Sequence, residues 1–152
     1  IEPESRYALR EIESGDIRST SADEVQAMMT AAFKGVVPLD THFLGGETTG
    51  ELVDRVTTEL DALVADQDWD VVLLVLHGAV NRAILSRALT GERMFLGAFE
   101  QAPGCINVLD VGDDDRWVVR GVNHIPYDPV HAGGSRLTTM EHLWQEYVDS
   151  QA

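Results

Sequence analysis

The most constraining feature of this chain is a run of six apolar residues, 71–76, that leads directly into His77 and Gly78. Such a run is typical of a strand covered on both faces in a parallel α/β sheet. After Gly78, apolar side chains recur at helical spacing as far as Leu89, and Gly91 follows where a helix C-cap is expected. The pattern therefore predicts that His77 stands at the carboxyl end of a strand, beside the N-terminus of a helix.

That location leaves two interpretations of His77 open. The ring could be a structural histidine that is hydrogen-bonded at the end of the strand. It could also belong to a ligand site, because open α/β sheets bind ligands at this edge and a helix N-terminus favours an anion.

Three Ser/Thr-x-x-Glu capping boxes predict where other helices begin. They are Ser21 with Glu24, Thr48 with Glu51, and Thr138 with Glu141. We expect helices over 22–33, 49–66, 79–90 and 139–149. Two strands are expected over about 105–111 and 116–122, joined by an acidic hairpin turn at 112–115.

Length and composition limit the classes of protein that this chain can represent. The 152 residues, 44% of them hydrophobic, suffice for one domain over 1–152, whose last part, 138–150, reads as an amphipathic helix. A formal net charge of −15 argues against nucleic acid or an anionic membrane as a partner. Cys105 is the single cysteine, so no intrachain disulfide can form and a cytoplasmic, reducing location is expected.

Several other chemistries lack the residues that they need. Cys105 is not a tyrosine phosphatase nucleophile, because position 111, where that chemistry requires an arginine, is Val111. The glycine-rich stretch 45–50 lacks the lysine of a nucleotide-binding loop, and it reads as a turn and helix cap. Ser86 lies inside the predicted helix rather than on a nucleophile elbow. The histidines do not pair at metal-ligand spacing, so no metal is expected.

The segment 76–85, which contains His77, resembles the second-histidine motif of the histidine phosphatase superfamily, the phosphoglycerate mutase-like enzymes. Residues 8–15 resemble its Leu-x-Glu-x-x-x-Gly segment, residues 43–48 its Gly-Gly-Glu-Ser segment, and residues 105–109 and 122–125 its closing strands. The resemblance covers about 8–127 and lies in the order and spacing of these pieces. It implies an α/β fold, a three-layer α/β/α sandwich with a mostly parallel sheet.

The resemblance also implies a chemistry, phosphoryl transfer through a phosphohistidine without a cofactor. Glu11 corresponds to the acid/base glutamate, and His77 would stabilise the transferring phosphoryl group. Phosphate would be bound by His77, Gly78 and the backbone N–H of Ala79. From spacing alone Glu13 competes with Glu11, because both would lie on the same face of an extended segment.

The chain departs from the family pattern in two places. No Arg-His-Gly occurs, although that motif supplies the histidine that becomes phosphorylated. We therefore expect the complete protein to include an N-terminal strand-helix segment, as an upstream part or a companion chain, and the 152 residues alone to be inactive. After Gly15 the sequence also differs from the Trp-Glu-Gly element of many members, which leaves the substrate open.

Hydrolysis of a small phosphate monoester is the expected reaction, because the short stretch 22–45 leaves little room for a lid that would shield a phosphoenzyme from water. The alternatives are a phosphoglycerate mutase-type phosphotransferase, a catalytically silent relative that binds phosphate or assembles with other chains, and an unrelated α/β binding protein. A homodimer through Trp144 and the last helix is a further possibility.

Overall fold

The computed structural model of the chain describes residues 2–18, 20–31, 33–66, 68–112, 116–126 and 137–151. It contains four helices: α1 (Ala22–Ala31), α2 (Thr49–Ala65), α3 (Gly78–Thr90) and α4 (Thr139–Gln151). A short 3-10 turn, Tyr7–Leu9, precedes them. The chain is therefore α/β, with its helices within two residues of the predicted bounds.

The helices begin and end where local chemistry predicts. The Thr48 hydroxyl accepts the Glu51 N–H at 3.1 Å, while the Glu51 carboxylate accepts the Thr48 N–H at 2.8 Å. The same reciprocal bonds are present at the starts of α1 and α4. At the end of α3, Gly91 adopts a left-handed conformation and donates its N–H to the Arg87 carbonyl. All three predicted capping boxes are confirmed.

The main core lies between α2 and α3. Its buried side chains come from one face of α2, from α3, and from the segments that cross them. They are Leu9, Ile12, Val37, Leu52, Val53, Val56, Leu60, Ala79, Val80, Ala83, Ile84 and Phe95. A second, smaller cluster joins α1 to α4, where Trp144 stacks on Tyr147 above Val25 and Met29.

The strands form two separate antiparallel pairs. β1 (Val36–Val37) pairs with β2 (Phe95–Leu96), and β3 (Ile106–Val111) pairs with β4 (Trp117–His124). The β3 and β4 bounds match the predicted strands closely. Of the turn predicted at 112–115, residues 113–115 lie outside the described residues.

The prediction of a buried parallel strand over 71–76 is wrong for this structure. These residues have no regular secondary structure, and their backbone makes no hydrogen bond to any other described residue. Val71, Leu73 and Val75 expose 88%, 86% and 89% of their surface. A strand requires a neighbour for its ladder, and both described sheets are antiparallel and lie elsewhere. The mostly parallel, three-layer arrangement is therefore not present in the described residues.

A large apolar groove accompanies this unpaired segment. Residues 69–79 form one wall and residues 101–111 the other, with Leu60 and Ile84 among the side chains at its base. Its volume is about 1190 Å³. Protein interiors normally leave few voids larger than one water molecule. The groove is therefore too large to be a packing defect. It could hold a further strand or helix.

We predict that the 152-residue chain self-associates through residues 71–76, because unpaired apolar edges template pairing between chains. Leu73→Lys should raise the fraction of monomer, since a charge on such an edge opposes pairing. Leu89→Lys, at a half-exposed position of α3, is the matched control. Size-exclusion chromatography with light scattering over a range of concentrations measures the outcome. A wild-type chain that stays monomeric throughout would contradict the prediction.

Candidate active site

The candidate site lies at the N-terminus of α3, at the end of the unpaired segment. His77 occupies the N-cap position with extended backbone angles, and its side chain makes no capping hydrogen bond. Its carbonyl accepts the Asn81 N–H at 2.9 Å. The ring is exposed, lines the groove and has no hydrogen-bond partner among the described residues. The structure therefore gives no support to a hydrogen-bonded structural role, and it leaves both ring nitrogens accessible.

Glu11 reaches this helix end from a distant part of the chain. Its two carboxylate oxygens lie 3.2 and 3.3 Å from the backbone nitrogen of Ala79, and one of them also accepts the Ile12 N–H at 2.9 Å. A carboxylate suits this place because the first N–H groups of a helix are unpaired and its dipole favours negative charge. The N–H of Ala79, the predicted phosphate donor, is thus hydrogen-bonded to the Glu11 carboxylate.

The surroundings of Glu13 differ from those of Glu11. The Glu13 carboxylate is exposed and accepts the Arg10 Nε–H at 2.7 Å on the surface. Only Glu11 of this pair lines the groove. Sequence spacing could not distinguish the two carboxylates, but the structure does: Glu11 faces the groove and Glu13 faces the surface.

A half-buried ion pair holds the segment that carries Glu11. Arg55 Nε donates to Glu47 at 2.6 Å, and the two side chains are only 15% and 9% exposed. The remaining guanidinium N–H groups reach the carbonyls of Ala8, Arg10 and Glu11 at 2.6–3.1 Å. Sequence analysis missed this function, since it interpreted the glycine-rich stretch only as a turn and cap. An arginine beside the apolar stripe of α2 was the available signal.

The loop that contains Glu47 also pairs with the chain that follows Glu11. Gly15 donates its N–H to the Leu44 carbonyl at 3.1 Å, and Glu47 donates to the Glu13 carbonyl at 2.9 Å. The contact is so close that a Cβ built on Gly46 would lie 2.3 Å from the Glu13 carbonyl oxygen. Glycine is therefore required at position 46 by the approach of two backbones.

Arg82 is a buried cation next to the site. Its Nη1–H donates to the Gly78 carbonyl at 3.0 Å and its Nε–H to the Gly97 carbonyl at 3.3 Å, while its guanidinium covers the Phe33 ring. Burial lowers the pKa of Arg82, and the negative charges of Glu100 and Glu11 oppose that shift. These contacts make Arg82 a fixed positive charge that supports the first turn of α3.

Cys105 behaves as a half-buried thiol rather than a nucleophile. Its Sγ lies 3.6 Å from the Gln101 amide oxygen, just before β3. Burial raises the pKa of the thiol, which disfavours the reactive thiolate.

These residues together form a place where an anion, a carboxyl group and an imidazole can meet. The α3 N-terminus offers N–H donors, Glu11 can carry a proton, and the His77 ring can donate to an oxyanion. The groove is lined by all four site residues predicted from the sequence: Glu11, His77, Gly78 and Ala79.

Alanine substitutions should show that the two adjacent glycines, Gly45 and Gly46, are needed for different reasons. Gly45 has a φ of +73° but open space around its would-be Cβ, whereas Gly46 faces backbone. Gly45→Ala should cost about 1–2 kcal/mol of unfolding free energy, and Gly46→Ala more, because the pairing with Glu13 must break. Urea unfolding of both variants measures this difference, and an equal cost would contradict the required approach at position 46.

Stability should also depend on pH through Glu47. Burial opposes its ionisation, but hydrogen bonds from Arg55 and the Glu13 N–H prevail and hold the pKa of Glu47 below its ordinary 4.5. A lowered folded-state pKa contributes stability above pH 4.5 that is lost as the pH falls through the folded value. The stability gap between wild type and Glu47→Gln should therefore shrink below pH 4.5. Denaturant unfolding at about pH 7 and about pH 3 checks this, and a gap independent of pH would contradict it.

Comparisons with known proteins identify the family of this chain. The family model of the histidine phosphatase superfamily (branch 1) matches residues 1–124. "Phosphoglycerate mutase-like protein 4" of Arabidopsis thaliana is 27% identical over 115 residues, which cover 74% of this chain and 49% of that protein. The chain thus spans about half the length of this curated relative. No solved structure matches the chain. Because the family model extends over most of its residues, the chain belongs to the histidine phosphatase superfamily.

Proposed function

We propose that the complete protein is a phosphate monoester hydrolase that works through a phosphohistidine, with Glu11 as acid/base and His77 as stabiliser of the phosphoryl group. The observation that carries this proposal is the contact of the Glu11 carboxylate with the Ala79 N–H, next to His77 at the mouth of a groove. Family membership supports phosphoryl transfer as the class of reaction.

The first step is attack on phosphorus by a histidine that lies outside this sequence. A new P–N bond forms as the P–O bond to the leaving group breaks, and the leaving oxygen takes a proton from Glu11. His77 and the Ala79 N–H donate to the equatorial oxygens, where negative charge is spread. The substrate phosphate displaces the Glu11 carboxylate from Ala79, and protonated Glu11, now neutral, no longer competes for the helix N-terminus.

In the second step water cleaves the phosphohistidine. Glu11, left ionised by the first step, accepts a proton from the attacking water, and the P–N bond breaks to release phosphate and free histidine. The cycle restores every group and needs no metal or organic cofactor. Hydrolysis is favoured over transfer to a second alcohol because the short stretch 22–45 leaves little room for a lid that would shield a phosphoenzyme from water.

The groove supports the requirement for a further segment. A histidine-bearing strand laid along residues 71–76 would pair with their free backbone groups and cover Val71, Leu73 and Val75. Such a strand, with a following helix, would add to the strand pairs β1–β2 and β3–β4 and bring the fold closer to the predicted three-layer α/β/α sandwich. A small phosphorylated substrate in a reducing cytoplasm fits this proposal, in which the 152 residues alone lack the nucleophile.

The intact mass of the gene product, followed by hydrolysis of p-nitrophenyl phosphate, tests the proposal. Glu11→Gln and His77→Ala should each lower kcat by about 10²–10⁴-fold, the usual contribution of a positioned acid/base or oxyanion donor. Glu13→Gln, which removes a carboxylate two residues away on the surface, is the matched control and should retain activity.

Equal loss in Glu11→Gln and Glu13→Gln would remove the assignment of Glu11. A product without a nucleophilic histidine that still binds inorganic phosphate would instead identify a catalytically silent relative. Phosphate transfer to an added alcohol in preference to water would identify a mutase-type phosphotransferase.

A further inference from the structure

The guanidinium of Arg55 is used entirely within the protein. It makes five hydrogen bonds: two to Glu47 and one to each carbonyl of Ala8, Arg10 and Glu11. The three carbonyls belong to one short segment, which has no regular secondary structure after Leu9. Without a helix or strand to order this segment, Arg55 supplies the partners that a ladder would otherwise provide.

The charge of Arg55 is balanced at the same place. Glu47 accepts two of its N–H groups at 2.6 and 2.8 Å, and the Glu13 N–H donates to the same carboxylate at 3.1 Å. A planar guanidinium can bind a carboxylate and three carbonyls at once, whereas the point charge of lysine has no such fork. The pair therefore fixes the segment on both sides of Glu11.

The effect of this arrangement reaches the site through the backbone. Arg55 Nη2 lies 3.1 Å from the Glu11 carbonyl oxygen, while the side chain of Glu11 extends to Ala79 at 3.2 Å. α2 carries Arg55 and packs on α3, which carries Ala79. The packing of these two helices thus sets the distance between the Glu11 backbone and the α3 N-terminus that the Glu11 carboxylate contacts.

We propose that Arg55, together with Glu47, is a positioning residue that holds the Glu11 carboxyl in reach of the α3 N-terminus. This inference rests on the proposed function, because it assigns Arg55 to the work of the acid/base group. Arg55 itself does not reach the groove, so it acts only through Glu11.

A double-mutant cycle in the complete gene product, with p-nitrophenyl phosphate as the probe, tests the proposal. Arg55→Met should lower kcat by about 10- to 100-fold, the scale of a misplaced reacting group, with little change in KM. In a Glu11→Gln background the same substitution should cost less than about twofold, since a residue that acts through Glu11 has nothing left to position. Arg55→Lys should give an intermediate loss.

Arg93→Met is the matched control. Arg93 also forms an ion pair with α2, through Asp54, but both partners of that pair are more than half exposed. Its loss should leave kcat within about twofold of wild type, because exposed pairs contribute little. An Arg55→Met loss that is equal in both backgrounds would mean a general structural role and would overturn the proposal.

A second measurement does not depend on activity. Hydrogen exchange of the Ala79 amide, compared with the Leu85 amide in the middle of α3, should accelerate in Arg55→Met and Glu11→Gln but not in Arg93→Met. If Arg55→Met does not fold, Glu47→Gln keeps Arg55 and provides the same comparison. If Ala79 exchange accelerates but the protein hydrolyses no phosphate ester, the proposed function is refuted while the positioning of Glu11 by Arg55 stands. If Ala79 exchange is unchanged in Arg55→Met, the positioning of Glu11 by Arg55 is overturned.

Discussion

The backbone of residues 71–76 imposes the constraint on which the rest of this structure depends. Residues 71–76 carry twelve backbone polar groups, and none of these groups has a hydrogen-bond partner among the described residues. Buried N–H and C=O groups must be paired in a stable fold. The segment can therefore be buried only when its backbone groups gain partners, and in our proposal a further strand in the adjacent groove would provide them. The position of His77 follows, because the segment delivers it to the start of α3.

The site depends on contacts between parts of the chain that are far apart in sequence. Glu11 lies 68 residues before Ala79 and 44 residues before Arg55, yet it contacts both. The carboxylate satisfies an otherwise unpaired helix donor, and the guanidinium satisfies carbonyls that belong to no ladder. Each of these bonds pairs a backbone N–H or C=O group that has no partner in a helix or strand. The need to pair backbone groups thus assembles the site, and the same need is unmet at residues 71–76.

The helices could be predicted from the sequence because their signals are local. Thr48 and Glu51 cap α2 through bonds that span three residues, and Gly91 ends α3 through its own backbone angle. The conformation of residues 71–76 was mispredicted because an apolar run indicates burial, and a buried strand needs a neighbouring strand that the run itself does not specify. For Leu73, the described residues provide no such neighbour, and its side chain is exposed.

The site was predictable to the same extent. His77 and Glu11 came from motifs whose order survives in the sequence, and the structure brings them to one helix end. The contact between Glu11 and Ala79 could not be foreseen, since it joins a side chain to a backbone N–H. The role of Arg55 was missed for a similar reason. Three of its partners are backbone carbonyls, which every residue type has, so the sequence does not identify them as partners.

An overall charge of −15 and a phosphate substrate are compatible once distance is considered. Charges on the surface are screened beyond about 8 Å at physiological ionic strength, so most acidic side chains affect the rate of encounter rather than the bound state. Within the site, the buried Arg82 guanidinium donates to the Gly78 carbonyl, and the Glu11 carboxylate accepts the Ala79 N–H. In the proposed reaction the phosphate would take the place of that carboxylate, because the free N–H groups and the dipole at a helix N-terminus favour an anion.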